Sequence, residues 1–337
     1  MTFPSSIYLL VAASACLTTA ISLPLWRKWC LRVGLVDEPG HRKIHDKPIP
    51  LAGGLAVMTG FLVPVILASL LLWSTPAADG FRGFRLPPFD AKTASLLGYG
   101  LGRRALELGT ILVGALAMLV LGIVDDLREL RPGAKFIGQV IIAAVVAASG
   151  VRITLFIHNQ LFQYAITIFW IVAVINAFNF MDNMNGLCAG LGTIGAGYFA
   201  LLAARDGQYL VAILAFLGCG ALLGFLPYNF PRARAFLGDA GSHLIGYLLA
   251  VVAILPHFYN PHHPRPWAVL VPLFALALPL LDMAWVVWLR WRARRPFYLG
   301  DTNHLSHRLV RAGLTSTQAV LAIWLMALAV GAFVFFC

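Results

Sequence analysis

Residues 119–130 read LVLGIVDDLREL, an apolar run that stops on two adjacent aspartates, Asp125 and Asp126. The apolar stretch leading into them, roughly 106–124, has the length a helix needs to cross the hydrocarbon core of a bilayer. A carboxylate at the bilayer centre costs about 3 kcal/mol on insertion scales, and one at the edge costs far less. The aspartate pair therefore marks the mouth of a span, and its purpose depends on what else the chain delivers to that surface.

Ten such apolar stretches can be marked, at approximately 6–25, 51–73, 106–124, 136–152, 161–178, 187–204, 208–226, 242–258, 266–289 and 317–336. With 60% hydrophobic and 12% charged residues over 337 positions, the composition is that of a multi-spanning membrane protein, since soluble domains carry about 25% charge. The expected architecture is all-α and polytopic, with about ten transmembrane helices. The links are short and no internal repeat is visible, so 1–337 reads as a single transmembrane domain. The five cysteines (Cys16, Cys30, Cys188, Cys219 and Cys337) show neither paired spacing nor a CxxC, and read as packing residues with no disulfide framework or zinc site.

Arg27, Lys28 and Arg32 follow the first span and no basic segment precedes it, which predicts an uncleaved first helix with its N-terminus outside. The inside links are then roughly 26–50, 125–135, 179–186, 227–241 and 290–316, and they hold 17 of the 25 Lys and Arg, as the positive-inside rule requires. Ten spans also return the C-terminus to the outside. The 74–105 link is the exception, placing Arg82, Arg85, Lys92, Arg103 and Arg104 outside. The net charge of +11 fits topology and anionic lipid, or an anionic substrate at the cytoplasmic face. Nucleic acid is excluded as a partner, because the basic residues are scattered over short loops without a binding module.

Nearly all the chemistry-bearing residues lie on those inside links. They read DEPGHRKIHDKPIPLAGG (37–54), DDLRELRPGAK (125–135), NFMDNMNG (179–186), FLGDAGSH (236–243) and GDTNHLSHR (300–308). Taken singly, Asp125 with Asp126 could be a solvated helix end, and His304 with His307 could decorate a basic loop. Together, paired carboxylates, a carboxylate in a Gly-flanked loop, amides, lysines and histidines suit phosphoryl transfer on a metal-complexed phosphate ester. Mg²⁺ takes one or two carboxylates plus water and phosphate oxygens, and cations neutralise a breaking pyrophosphate.

In these five motifs, in this order, the chain resembles the polyprenyl-phosphate N-acetylhexosamine-1-phosphate transferases (glycosyltransferase family 4). That family includes phospho-N-acetylmuramoyl-pentapeptide transferase and the eukaryotic dolichyl-phosphate GlcNAc-1-phosphate transferase. The resemblance runs from about residue 36 to 320. It implies a catalytic role for Asp125, Asp126 and Lys135, and a substrate-binding role for Lys43, His45, Lys47, Asn179, Asp182, His304, His307 and Arg308. It places Mg²⁺, with Mn²⁺ as the alternative, on Asp239 and Asn185. It further implies a UDP-N-acetylhexosamine donor, a polyprenyl (undecaprenyl) phosphate acceptor, residence among the lipids of the bacterial inner membrane with the site facing the cytoplasm, and a homodimer as an option.

Three positions depart from the family's usual residues. Asn185 stands where many bacterial relatives carry aspartate, Ser306 where they carry histidine in a His-x-His-His pattern, and Asn183 where they carry glycine. Asp282 reads as a structural ion-pair partner and is set outside the core site, and Trp285, Trp288 and Trp291 read as an interfacial belt. The weaker alternatives are the muramoyl-pentapeptide transferase, whose histidine-rich motif NHLSHR matches poorly, and an ion-coupled transporter, against which the one-sided acids and missing repeat both count.

Overall fold

In hydrocarbon a backbone N–H or C=O finds no water, so each apolar run satisfies its own polar groups as a helix. The computed structural model describes residues 4–39, 47–73, 102–155, 157–256, 266–296 and 302–336, which leaves Lys43, His45, Asp301 and most of the 74–105 link outside the described residues. The helices are α1 (Ser5–Val33), α2 (Gly53–Trp73), α3 (Ala105–Arg128), α4 (Pro132–Ala148), α5 (Gln160–Met181) and α6 (Leu187–Arg205). They continue as α7 (Tyr209–Asn229), α8 (Gly238–Ile254), α9 (Val271–Ala275), α10 (Ala277–Arg292), α11 (Leu305–Arg311) and α12 (Ser316–Gly331). One feature departs from the all-helical expectation: β1 (Val36–Asp37) pairs antiparallel with β2 (Ile49–Pro50) between α1 and α2.

All ten expected stretches are helical, but the count of full spans is lower than ten. Among the described residues, seven helices (α1, α2, α3, α5, α6, α7 and α12) are long and apolar enough to cross a membrane, and eight if the bent α9–α10 pair is one span. The bend there is 76°. Its cause is Pro279, which has no N–H to offer the Ala275 carbonyl, so the helix breaks at Leu276. The expected spans at 136–152 and 242–258 are α4 and α8, of 17 residues each. At 1.5 Å per residue such a helix covers only about 25 Å. The helices also start about one turn before the apolar runs, on PGAK and GDAGSH, so the apolar length of each is shorter still.

Where α1 ends, Gly34 turns into the left-handed region (φ +77°) and Leu35 N–H returns to Cys30 O at 3.0 Å, which starts the chain toward β1. Along α3, Ile111, Ala115 and Met118 are buried while Leu106, Val113 and Val120 face outward, the arrangement of a helix with one protein face and one lipid face. In α8, by contrast, every residue from Ala240 to Ala253 is buried. This helix is the hub of the bundle, packed against α2, α3, α5, α6 and α7. Close approach is bought with small residues: a Cβ on Gly122 would lie 2.3 Å from Ala240 Cα, and one on Gly246 would lie 2.6 Å from Ile175 Cα.

The alternation of segments predicts that both ends of the chain face the same, exterior side, provided the two short helices cross. In a variant with the five native cysteines replaced, Ser5→Cys and Phe336→Cys are expected to react with an impermeant maleimide from the outside. Labelling from opposite faces would establish an odd number of crossings.

Candidate active site

Helix α3 ends at Arg128, with Glu129 in the left-handed region (φ +47°), and Pro132 starts α4 where its missing N–H costs nothing. This tight reversal lays the first turn of α4 beside the last turn of α3. Lys135 Nζ then stands 2.6 Å from Asp125 Oδ2 and 3.2 Å from Asp239 Oδ2, bridging α3 to the start of α8. The other oxygen of Asp125 accepts from Leu130 N–H at 2.9 Å, so one carboxylate both closes its helix and holds the ammonium. Asp125 is 7% exposed, which makes this pair a partly desolvated one.

Asp126 has a different occupation. Its Oδ1 accepts from Asp239 N–H at 2.8 Å and its Oδ2 from Ala240 N–H at 3.1 Å. These are amides of the first turn of α8, which have no acceptor within the helix, and the positive end of the helix dipole favours the negative charge. Gly238 (φ +67°) allows the chain to turn there, and a Cβ at that position would lie 2.6 Å from Asp126 Oδ2. The geometry thus divides the aspartate pair: Asp125 faces Lys135, and Asp126 anchors the loop that presents Asp239.

Helix α5 contributes Asn179, whose Nδ2 donates to Asp239 Oδ1 and, at 3.0 Å, to Ser242 Oγ. One turn below, away from this rim, lies a second polar tier, to which the sequence reading gave no role. Asn176 Nδ2 donates to Gln139 Oε1 at 2.7 Å, and Gln139 Nε2 lies 3.5 Å from His243 Nε2. Gln139 and His243 are fully buried. The signal was present as spacing, since Gln139 follows Lys135 by four residues and His243 follows Asp239 by four.

The remaining islands are tied to this core one by one. Gly53 N–H donates to Phe236 O at 2.9 Å and Phe236 N–H to Pro50 O at 3.0 Å, joining the first motif to the fourth. Gly54 is required by that contact, because a Cβ there would lie 2.6 Å from Gly241 N. Lys47 stands exposed just ahead of β2. Asp182 follows the end of α5; burial pushes its carboxyl up to about 8, and the charges of Asp239, Asp126 and Asp37 act in the same direction. Asn185 donates to Pro231 O at 3.2 Å, which places its amide on the loop after α7.

In the fifth island, Asp282 of α10 accepts from Leu305 N–H at 2.6 Å and holds His304 Nδ1 at 2.6 Å, so that Nδ1 is the ring nitrogen engaged within the protein. The structural pairing expected of Asp282 is thus made with a histidine assigned to the site. Phe180 meets His304 edge-on at 5.6 Å, and Arg290 lies 5.0 Å over the same Phe180 ring. The centroids of His304 and His307 are 6.5 Å apart. Arg308 stacks over Trp285 at 5.4 Å, so its charge sits on the aromatic belt of α10.

Among the described residues no three His, Cys, Asp or Glu side chains form a ready-made metal cage. Mg²⁺ asks for less, one or two carboxylates with water and phosphate completing its shell. Asp239 is one-third exposed, unlike its neighbours, and lies among acids whose charge is felt as far as Asp182. A hard divalent cation fits that donor set.

Similarity to known proteins points the same way as the geometry. The family model described as glycosyl transferase family 4 matches residues 108–257, which include Asp125, Asp126, Lys135, Asn179, Asp182 and Asp239. A probable undecaprenyl-phosphate N-acetylglucosaminyl 1-phosphate transferase of Bacillus subtilis (strain 168) is 30% identical over 318 residues, covering 92% of this chain and 79% of the relative. The chain belongs to glycosyl transferase family 4. The decaprenyl-phosphate N-acetylglucosaminephosphotransferase of Mycobacterium tuberculosis (strain ATCC 25618 / H37Rv) is 32% identical over 342 residues, covering 94% of this chain and 79% of the relative. The undecaprenyl-phosphate alpha-N-acetylglucosaminyl 1-phosphate transferase of Yersinia pestis is 29% identical over 314 residues, covering 89% and 76%.

In this family 4 chain, among the described residues, Lys135 is the cation that bridges Asp125 and Asp239. Lys135→Met leaves Asp125 and Asp239 facing each other, and breaking a buried pair from one side costs about 3–5 kcal/mol. A large drop in the thermal midpoint in detergent is expected, and adding Asp125→Asn to the same protein is expected to restore part of it. A double variant that melts lower still would show that this ion pair does not hold the rim together.

Proposed function

We propose that this multi-pass membrane enzyme transfers N-acetylglucosamine 1-phosphate from a UDP-linked donor to polyprenyl phosphate, releasing UMP. The observation that carries it is the Asp125–Lys135–Asp239 bridge at one end of the helix bundle, inside a chain of a family whose relatives are named for this transfer. A site at the rim suits two substrates of opposite character: a lipid phosphate whose tail stays in the bilayer and a nucleotide sugar arriving from water. The basic balance of the links beside the cluster supports a site on the cytoplasmic face of the bacterial inner membrane. The product would start a lipid-linked surface polysaccharide.

In the proposed reaction Asp125, with its charge poised by Lys135, orients the polyprenyl phosphate and takes its proton. The phosphate oxygen attacks the β-phosphorus of the donor, a new P–O bond forms, and the bond from that phosphorus to the bridging oxygen breaks. The electron pair leaves with UMP. Asp126 keeps the start of α8 in place so that Asp239 stays at the rim, and Lys135, His304 and His307 meet the charge on the pyrophosphate. Asp239, helped by the Asn185 amide, would hold Mg²⁺, which when bound supplies charge stabilisation to the phosphates. Asn179 holds the Asp239 carboxylate in orientation through its amide.

Purified protein in detergent, given undecaprenyl phosphate, Mg²⁺ and a panel of UDP-sugars, is expected to release UMP only when lipid phosphate is present, and fastest with UDP-GlcNAc. Chelation with EDTA is expected to stop release, and Mg²⁺ or Mn²⁺ to restore it. Preference for UDP-MurNAc-pentapeptide would replace the donor while leaving the chemistry standing, and lipid-independent release would remove the transferase function itself.

A further inference from the structure

Two of the three departures from the family's usual residues meet in space. Ser306 Oγ donates to Asn183 Oδ1 at 2.7 Å, although 123 positions separate them in the chain. The same Asn183 amide donates through Nδ2 to Phe180 O at 2.7 Å, at the end of α5. Ser306 is 1% exposed, so its hydroxyl has exchanged water for this one acceptor. A glycine at 183 would leave that hydroxyl buried without it, and an apolar residue at 306 would strip Asn183 of its donor.

We propose that Asn183 and Ser306 form a positioning pair that docks α11, and with it His304 and His307, onto the loop carrying Asp182 and Asn185, so fixing how the phosphate-linked sugar of the donor is held. The pair rests on the transferase function above and deepens it. A helix of seven residues has too few internal bonds to hold its own course. Its N-terminus is pinned to α10 by Asp282, through Leu305 N–H and His304. Asp282 fixes where the helix starts, and the bond at Ser306 fixes how its first turn faces the loop after α5. Phe180 joins the two pins, since its carbonyl accepts from Asn183 while its ring meets His304. A disturbance at Asn183 or Ser306 is therefore transmitted to His304 without any change in the Asp125–Lys135–Asp239 bridge. The pair touches neither reacting atom, and acts through the histidines.

The test is a double-mutant cycle of Ser306→Ala, Asn183→Ala and their combination, with Ser306→Thr as the conservative control, in steady-state assays that vary each substrate separately. Each single variant is expected to raise KM for UDP-GlcNAc about tenfold, the cost of leaving one polar partner unmatched, with KM for undecaprenyl phosphate changed by no more than about twofold. The double variant is expected to be no worse than the singles, where independent residues would give about a hundredfold. Ser306→Thr, which keeps the hydroxyl, is expected to stay within about threefold of the parent. Multiplicative losses in the double variant, equal shifts in both KM values, or indifferent singles would each overturn the pair. If the parent protein releases no UMP from any UDP-sugar, it is the transferase function that fails. The pair is then judged by thermal midpoints of the same four proteins, where additivity would reject it and coupling would retain it.

Discussion

The carboxylate of Asp126 holds the first turn of α8, and the arrangement of the whole site follows from that contact. Two backbone amides at a helix start need acceptors, and here a side chain from α3 supplies both. Because α8 is buried along nearly its whole length and packs against five other helices, its start cannot shift without disturbing the bundle. Asp239 is thereby fixed where Lys135 reaches both it and Asp125. Anions inside a membrane protein are tolerated when they are partnered, and here Lys135 serves Asp125 and Asp239 while the start of α8 serves Asp126.

Five loops that are far apart in the chain are tied into one network centred on the fourth. The first loop binds the fourth through Gly53 and Phe236, the second binds the fourth through Asp126 and Lys135, and the third through Asn179. The fifth joins the third through Ser306 and Asn183. Motifs that looked merely co-localised by topology are thus hydrogen-bonded to one another. The glycines of the first and fourth motifs belong to the same logic, since Gly54 and Gly241 are where two helix starts touch.

Much of this was legible in the sequence because charge inside an apolar chain is scarce and therefore informative. The helices, the aspartate pair and Asp239 stood out on that ground, while Lys135 and Asn179 were singled out by the family resemblance. What could not be read was where helices begin and break: α4 and α8 start on Pro132 and Gly238, ahead of their apolar runs, and α9–α10 is one apolar run broken at Leu276. The division of labour between Asp125 and Asp126 was hidden too, because adjacent residues on a helix point about 100° apart and only the neighbouring helices decide what each one meets. In the buried Gln139–His243 tier, Gln139 is a single polar residue in an apolar run, and His243 closes the FLGDAGSH island without a partner that the sequence reveals. Asn183 and Ser306 were visible as separate departures, and only three dimensions make them one.

The central claim is that the Asp239 carboxylate, held by Asn179 and Lys135 at the rim, serves the transfer directly. Lipid-dependent UMP release by Asp239→Asn protein, measured at saturating UDP-GlcNAc and undecaprenyl phosphate and in a preparation whose thermal midpoint matches the parent, is the most direct test. The account predicts a fall in turnover of at least about two orders of magnitude, as for loss of a principal charge-stabilising group. Turnover within a few-fold of the parent in that folded protein would contradict it.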